Sequence, residues 1–304
     1  MEAEKKKKLR IACAHDLAYT PQYVGAELGF FEDQGLALEF VPHPAGVAGV
    51  VDTVRLGSAD LVLGSLVYAL RMHETGTDTH IVAQSNQQTR NVLMSRREDD
   101  ATFRWADLRR RSIVLYPGEA PTAWAAFQEA LHRHDLTTGD MQLIIGFTAA
   151  DAVEEFVRGV GDYLFIDAEA ALDDRLRCAA TVADGAGALP WSIYSTSAEV
   201  AAARSEDLIA FRRGLGEAQR WMLGHSASDI ADVIGHRFPR YTRARLVQIL
   251  ERYLELNLWP DSADVRMDQI LRWEGALRRN GLITTRNPVT EYLSIHAESL
   301  SVHE

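Results

Sequence analysis

Residues 9–65 alternate short apolar runs with segments of helical periodicity. Thr20 and Pro21 open the first helix, with the threonine placed to cap it and the proline at the first helical position. Gly35 breaks the chain before the second strand. The pattern predicts strands at 9–14, 36–41 and 61–64 and helices at 22–31 and 47–56. This order predicts a parallel sheet whose carboxyl-end loops form a ligand-binding crevice.

A second α/β pattern begins near Trp105 and is followed by a mainly helical region. The remaining predicted strands are 80–84, 92–94, 112–116, 141–147, 162–166 and 191–196. The helices between them are 65–73, 105–110, 122–134 and 149–158. Residues 198–297 carry helical spacing at 208–223, 226–234, 242–256 and 267–280.

These elements predict two α/β lobes joined by two crossings. Residues 85–91 form a polar interruption inside a β run, which is typical of a strand that passes into another domain. We expect a disordered tail at 1–8, lobe I at 9–88 plus 195–304, and lobe II at 89–194. The crossings fall near 87–91 and 189–194. Two lobes on a double hinge form a clamp that closes over a small molecule.

Composition narrows the class of partner. The chain has 304 residues, 47% hydrophobic and 25% charged, which is ordinary for a globular protein. Its net charge of −11 argues against nucleic-acid binding, which needs clustered cations. All four lysines are residues 5–8, so the folded body offers no amine for Schiff-base chemistry.

Cysteine content and hydropathy indicate the cellular compartment in which we expect the protein. Cys13 and Cys178 are too few for a disulfide framework or a cysteine zinc site, although one disulfide is possible. The start MEAEKKKKLRIACAHD lacks the apolar segment of a secretory signal. No run approaches the ~20 apolar residues of a membrane span. We therefore expect a cytoplasmic protein as given, or a periplasmic or extracellular one if a leader was removed, with no membrane insertion.

Three stretches carry a resemblance to a known superfamily. They are YVGAELGFFEDQGLALEFV at residues 23–41, LGSADLVLGS at 56–65 and WADLRRRSIVLYPGE at 105–119, with a weaker match at 253–283. They resemble the type II periplasmic-binding-protein fold, in the branch of sulfonate, nitrate and taurine binding proteins and thiamine-pyrimidine synthases. The resemblance implies a two-lobe α/β fold with a mainly helical C-terminal region.

The enzymes of that branch differ from this chain at their chemical residues. Where the synthases carry a lysine for pyridoxal phosphate and a histidine consumed as substrate, this chain places Gly64 and Tyr68. Their cysteine-rich run falls near 190–196, which has no cysteine here. The related desulfinases need a cysteine in the loop after the first strand, where this chain has Asp16, with Cys13 three residues earlier. No cofactor is expected.

Candidate ligand contacts follow the predicted strand ends and the first helix. His15 and Asp16 end the first strand, and Tyr19, Gln22 and Tyr23 flank the helix N-terminus, where an aromatic side chain can stack and free N–H groups can meet an anion. Backbone satisfaction of His15 and core packing of Tyr23 are the structural alternatives.

The later strand ends add further candidates. Gly64 and Ser65 end the third strand, where Ser65 can cap a helix, donate to a ligand or do both. Tyr68 lies one turn further on and can point to the cleft or to the core. Gln84 and Asn86 form, with Gln87, an amide cluster suited to a neutral or zwitterionic solute, with hinge hydrogen bonding as the alternative. Arg90 is the cation best placed for a carboxylate or sulfonate.

The second α/β set contributes the remaining candidates. Gly118 and Thr122 lie in a turn before a helix, where N–H groups bind oxyanions, and Asp167 ends a strand. Trp191 at the second crossing is a candidate stacking wall, with hinge packing as the alternative. No metal-ligand spacing occurs, and His132 and His134 are wrongly spaced for two ligands on one helix face.

The sequence thus favours a solute-binding protein, a monomer or weak dimer, that closes over a small organic molecule. The solute would be sulfonate-, nitrate- or pyrimidine-like, and aromatic or anionic. The protein would act as a sensor or as a transporter component beside an ABC permease. The alternative is a cytosolic enzyme on the same fold, with His15 as acid or base and Cys13 as nucleophile.

Overall fold

The computed structural model describes residues 6–43, 47–96, 102–116, 121–285 and 287–296. The strands, in chain order, are β1 (Lys7–Cys13), β2 (Leu36–Pro42), β3 (Leu61–Ser65), β4 (Thr79–Asn86), β5 (Asn91–Arg96), β6 (Ser112–Leu115), β7 (Gln142–Ile144), β8 (Tyr163–Asp167), β9 (Leu176–Thr181), β10 (Ser192–Ser197) and β11 (Leu293–Ile295). The α-helices are α1 (Thr20–Glu27), α2 (Val47–Arg55), α3 (Leu66–Glu74), α4 (Pro121–Arg133), α5 (Ala149–Val157), α6 (Val182–Ala186), α7 (Ala198–Ala203), α8 (Ser205–Leu223), α9 (Ala227–Ile234), α10 (Arg243–Glu255) and α11 (Met267–Arg279).

The chain divides into two compact units, neither of which is contiguous in sequence. Unit 1 contains the described residues within Met1–Gln87, Pro190–Tyr241 and Trp259–Glu304, and unit 2 those within Gln88–Leu189 and Thr242–Leu258. The chain therefore changes unit four times, where the sequence predicts two crossings. The expected lobe I included residues 242–258, but α10 belongs to unit 2. All of β10 belongs to unit 1, although part of it was assigned to lobe II.

Unit 1 is built on a six-stranded sheet in the order β11-β4-β10-β3-β1-β2. The strands β2, β1 and β3 are parallel, as the sequence predicts, and β10 runs antiparallel to β3 and β4. The carboxyl ends of β1 to β4 and the amino end of β10 therefore lie along one edge of the sheet.

Close helix packing covers this sheet. Gly25 of α1 and Gly214 of α8 meet around Phe31, where an added Cβ would lie 2.5 and 2.7 Å from the phenylalanine ring. Only glycine permits that approach, because real Cβ contacts are not so short. Phe31 in turn stacks on Phe211 with ring centroids 5.4 Å apart, so α1 is fixed against α8.

Strand pairing and a buried ion pair stabilise the start of β1. Lys7 and Lys8 form its first two residues and pair with Leu36 and Ala37 of β2, so this strand includes two residues that the sequence prediction assigned to the tail. Next to them, the buried carboxylate of Asp60 accepts hydrogen bonds from the backbone and side chain of Arg10 and forms an ion pair with Arg204 at 2.8 Å.

Unit 2 has a five-stranded sheet in the order β7-β6-β8-β5-β9. The strands β7, β6 and β8 are parallel, and β5 is antiparallel to β8 and β9. Helix α10 is attached to this unit by Arg245, whose guanidinium donates to the carbonyls of Glu169 and Leu172 at 3.0 and 3.4 Å.

Among the strands and α-helices of the described residues, the sequence prediction lacks β9, α6, α7 and β11. Helix α1 begins at Thr20, two residues before the predicted start, so Thr20 is the first helical residue and Tyr19 occupies the cap position without a side-chain hydrogen bond. The Thr20 hydroxyl donates to the carbonyl of Leu17. Cys13 and Cys178 are free thiols. Among the described residues, no helix has the length and apolar character that crossing a bilayer requires.

Candidate functional site

Most of the candidate residues collect at the edge of the unit 1 sheet where β1 to β4 end. We call this the carboxyl edge and define it by Ala14–Asp16, His43, Ser65, Asn86 and Trp191. Ser192 is paired with Ser65 on one side and with Asn86 on the other, which brings the ends of β3 and β4 together. Ligands of open α/β sheets bind at such an edge.

The turn that follows β1 is held rigidly. Asp16 caps the short 3-10 helix Leu17–Tyr19 by accepting a hydrogen bond from the backbone of Ala18 at 2.8 Å. The carbonyl of Ala18 accepts two further hydrogen bonds, from the Asn86 amide at 3.0 Å and the Trp259 indole at 2.8 Å. The turn is therefore preorganised, and Asp16 and Asn86 stabilise it through these hydrogen bonds.

The exposed imidazole of His15 packs against aromatic side chains. Its ring stacks on Phe238 with centroids 4.6 Å apart and meets the edge of Tyr23 at 5.6 Å. Partial burial lowers the pKa of His15, as do the charges of Arg240 and Arg237, while Asp16 opposes them. The imidazole is accordingly neutral near pH 7, with one face supported and the remainder open to solvent.

Gln22 and Tyr23 are both buried in this structure, which matches the core-packing alternative for Tyr23 and differs from the ligand contact expected of Gln22. Gln22 is fully buried, donates to the Cys13 sulfur at 3.5 Å and accepts from the Tyr194 hydroxyl at 3.2 Å. Tyr23 is 1% exposed, and its hydroxyl donates to the carbonyl of Ala14 at 3.4 Å. The first turns of α1 are buried, so these side chains support the site from beneath. Tyr19 is half-buried against the core.

Burial also makes the thiol of Cys13 a weaker candidate for a nucleophile. Burial raises the pKa of its thiol to about 11, although the hydrogen bond from Gln22 lowers it. Nucleophilic catalysis by cysteine requires the thiolate, which is scarce at neutral pH for such a thiol. Cys178 lines a groove of about 560 Å³ in unit 2, and burial raises its pKa as well.

Gly64 makes room for an aromatic ring over the end of β3. An added Cβ would lie 2.3 Å from the ring of Tyr68, so the absence of a side chain lets that ring cover the strand. The half-buried Tyr68 also faces His43, with ring centroids 6.2 Å apart. Ser65 caps α3 by accepting from the backbone of Val67 at 3.3 Å, one of the two roles predicted for it.

The buried amides at the end of β4 hold the adjoining segments together. Gln84 donates to the carbonyl of Asn86 at 3.2 Å, and its own carbonyl accepts from the amide of Gln219 at 2.8 Å. Trp191 is half-buried; its backbone donates to Asn86, and its ring lies 5.8 Å from that of Trp273. Both proposed roles of Trp191, stacking wall and packing residue, are compatible with this position.

The candidates in unit 2 lie at the corresponding edge of its own sheet. Asp167 ends β8 opposite Asn91 and forms an ion pair with Arg90. Arg90 is therefore engaged within its unit, whereas the sequence suggests it as the cation for a solute. Thr122 is buried in the first turn of α4. Gly118 lies outside the described residues.

The structure adds residues that the sequence prediction missed. The segment 235–241, GHRFPRY, contributes Arg237, Phe238 and Arg240 next to His15. Its signal is a dense mixture of aromatic, proline and arginine residues without helical spacing, between two helices. Within the described ranges, no three histidine, cysteine or carboxylate side chains are grouped so as to hold a metal ion.

Comparison with known sequences gives a family match over most of the chain. The model of the family described as NMT1/THI5 like matches residues 17–227. Among individual proteins, the chain is similar to one from Bacillus subtilis named "Putative binding protein YtlA". The two are 23% identical over 253 residues, which covers 81% of this chain and 75% of the relative.

Comparison with solved structures identifies the fold. The periplasmic aliphatic sulphonate binding protein SsuA from Escherichia coli superimposes with a TM-score of 0.69 at 17% identity, covering 94% of this chain and 97% of SsuA. The desulfurization enzyme DSZB superimposes with a TM-score of 0.61 at 13% identity, covering 95% of this chain and 97% of the enzyme. The chain thus has the periplasmic-binding-protein fold, on which both binding proteins and enzymes occur.

Proposed function

Because the chain belongs to the NMT1/THI5-like family, we propose that it is a solute-binding protein whose solute is a small organic anion. The solute binds at the carboxyl edge of unit 1, against the open side of His15. A similar chain is named as a binding protein, and a structural neighbour as a sulphonate-binding protein. These names support a solute-binding function, and the charged residues of the site support an anionic solute.

The observation that carries the proposal is the rigid turn after β1. The carbonyl of Ala18 in this turn accepts hydrogen bonds from Asn86 and Trp259. His15, at the start of the turn, has an exposed ring that stacks on Phe238. A surface that is ordered before the ligand arrives loses less conformational entropy on binding. The segment that carries Phe238 also carries the exposed Arg240, whose positive charge favours an anion there.

The enzyme alternative has less support from the same residues. The Cys13 thiol is buried and has a raised pKa, so it is a poor nucleophile at neutral pH. His15 stacks against Phe238, and an aromatic platform of this kind suits recognition of a planar group. Gly64 and Tyr68 stand where the resemblance to the synthases requires a lysine and a histidine.

The finer role that we propose is that of the solute-binding component of an importer, working with a permease. The comparison with SsuA supports it, since that protein is named as periplasmic and sulphonate-binding. Deleting the gene from its natural host should then abolish high-affinity uptake of the solute. Uptake that is unchanged in the deletion strain would favour the sensor.

The primary test identifies the solute directly. Native mass spectrometry of freshly purified protein, followed by denaturation, should release a co-purified small molecule that carries a sulfonate, carboxylate or related anionic group. Calorimetry with paired compounds, such as benzenesulfonate and the neutral benzenesulfonamide, then measures the charge preference. We expect the anion to bind at least tenfold more tightly, which is about 1.4 kcal/mol. Equal affinity for the pair, or chemical conversion of the solute, would contradict the proposal.

A further inference from the structure

We propose that Arg240 selects the anionic solute and that His15 takes up a proton when this solute binds. The inference rests on the proposed function and deepens it, because it assigns the charge preference to one residue and couples binding to pH. The segment 235–241, whose Phe238 stacks on His15, carries two arginines, Arg237 and Arg240, that differ in their surroundings.

Arg237 is already committed within unit 1. Its guanidinium lies 5.6 Å from the ring centroids of both Tyr23 and Phe40. Its Nε donates to Glu27 at 2.6 Å, which places a carboxylate beside its charge. Because Arg237 is half-buried and neutralised in this way, it has little remaining capacity to bind a further anion.

Arg240 differs from Arg237 in each of these respects. It is exposed, and its guanidinium lies 4.7 Å from the ring centroid of Tyr241. In the part of the chain that the structure describes, no carboxylate forms an ion pair with it. Stacking on an aromatic face restricts the planar guanidinium while leaving its N–H groups at the edge available for a two-pronged contact with a sulfonate or carboxylate.

The segment that carries Arg240 packs against His15, because Phe238, two residues before Arg240, stacks on the imidazole with ring centroids 4.6 Å apart. Arg240 and Arg237 lower the pKa of His15 in addition to the effect of burial, and Asp16 is the carboxylate that raises it. The other neighbours, Phe238 and Tyr23, are aromatic, and the Tyr23 hydroxyl is engaged with the carbonyl of Ala14. Burial and the two cations thus lower the pKa of His15 and favour the neutral imidazole.

An anion bound to Arg240 changes this balance. Its negative charge offsets that of the guanidinium and adds attraction for a proton on the imidazole, so the pKa of His15 rises in the complex. By linkage, the complex binds more protons than the free protein between the two pKa values, and affinity increases as the pH falls through that interval. A neutral solute of the same shape produces no such uptake.

The test uses benzenesulfonate as the probe and benzenesulfonamide as its neutral counterpart. Calorimetry at pH 6.5 in two buffers of different ionisation enthalpy counts the protons taken up. An NMR titration of His15 with and without the probe locates them. Arg240→Gln should weaken benzenesulfonate at least tenfold and leave benzenesulfonamide within twofold. The matched control Arg266→Gln removes another exposed arginine of unit 1, paired with Asp268, and should change neither affinity. His15→Gln should abolish the proton uptake.

The outcomes separate this inference from the function on which it rests. If benzenesulfonate binds and Arg240→Gln binds it as tightly as the wild type, the selecting role of Arg240 is refuted while the solute-binding function stands. An unshifted His15 titration in the presence of bound probe refutes the proton coupling. The anionic proposal and this inference are both overturned if the wild type does not bind benzenesulfonate and releases a neutral or cationic solute on denaturation. Unchanged melting temperatures for all variants establish that the effects are not losses of folding.

Discussion

Replacing Asp60 by asparagine should destabilise unit 1 by an amount that the structure allows us to calculate. The carboxylate accepts from Arg10 at its backbone nitrogen and at Nη2, at 2.8 and 2.9 Å, and pairs with Arg204 at 2.8 Å. Its side chain is 8% exposed, whereas those of Arg10 and Arg204 are 36% and 22% exposed. The substitution Asp60→Asn preserves the shape but removes the carboxylate paired with Arg10 and one of the two carboxylates paired with Arg204, which keeps Asp207 at 3.1 Å.

Removing one partner of a buried ion pair costs about 3–5 kcal/mol. Because Arg10 and Arg204 can turn partly towards water, we expect the lower end, about 3 kcal/mol. For a unit of this size, that corresponds to a fall in Tm of about 6–12 °C. Differential scanning calorimetry at pH 7 measures this fall in Tm. The control Asp268→Asn removes an exposed partner of Arg266 and should leave Tm unchanged.

The pH dependence gives a second, independent check. Burial raises the pKa of Asp60, but the hydrogen bonds from Arg10 and the charge of Arg204 outweigh this and hold the pKa below its usual value. A depressed carboxylate pKa gives stability that is present above the unfolded-state pKa, about 3.9, and is lost as the pH falls through the folded-state value. The difference between wild type and Asp60→Asn should therefore be constant from pH 7 to 5 and shrink below about pH 4. A difference under about 0.5 kcal/mol at pH 7, or one that shrinks above pH 5, would refute the reasoning.

Three further predictions concern the site and its support. Because burial raises the pKa of Cys13 to about 11, iodoacetamide at pH 7.5 should modify it slowly in the native protein and fully after unfolding; rapid native labelling would contradict its burial. Gly64→Ala should cost about 1–3 kcal/mol in urea denaturation, since the new Cβ displaces the Tyr68 ring, and a Tyr68→Ala background should relieve the cost. Trp191→Ala should weaken solute affinity at least tenfold in calorimetry, about 1.4 kcal/mol, whereas Trp221→Ala on α8 should leave it within twofold; equal effects would remove Trp191 from the site.

The fold is predictable from sequence where apolar runs are bounded by strong breakers. The strands β1, β2 and β3 and their parallel order follow from buried runs separated by Gly35 and Gly57. Strand β9 is different, because Leu176–Thr181 mixes half-buried alanine, cysteine and arginine and has no glycine or proline at its ends. Strand β11 contains only three residues and depends on pairing with β4. Tertiary contacts determine such elements more than local preference does.

The candidate site is predictable only in part, for a related reason. The positions of His15, Asp16, Ser65 and Asn86 at strand ends follow from the topology. The burial of Gln22 does not, because α1 is covered on nearly every side and its sequence shows no clear polar face. Phe238 contacts His15 only after the chain has passed through both units, and local pattern carries no information about such distant pairs.

The interleaving of the two units has a consequence for synthesis. A nascent chain that has reached Tyr241 contains both sheets except for β11, yet unit 2 still lacks α10. The apolar face of that helix, with Leu246, Ile249 and Leu250, is buried in the finished protein, so the surface that it covers is exposed until the helix emerges. Unit 2 is complete only after Leu258 has emerged, and unit 1 only after its last segment, which begins at Trp259. The large sequence separation between the segments of each unit slows folding. Truncation after residue 241 should therefore yield an aggregation-prone product rather than an independent amino-terminal domain.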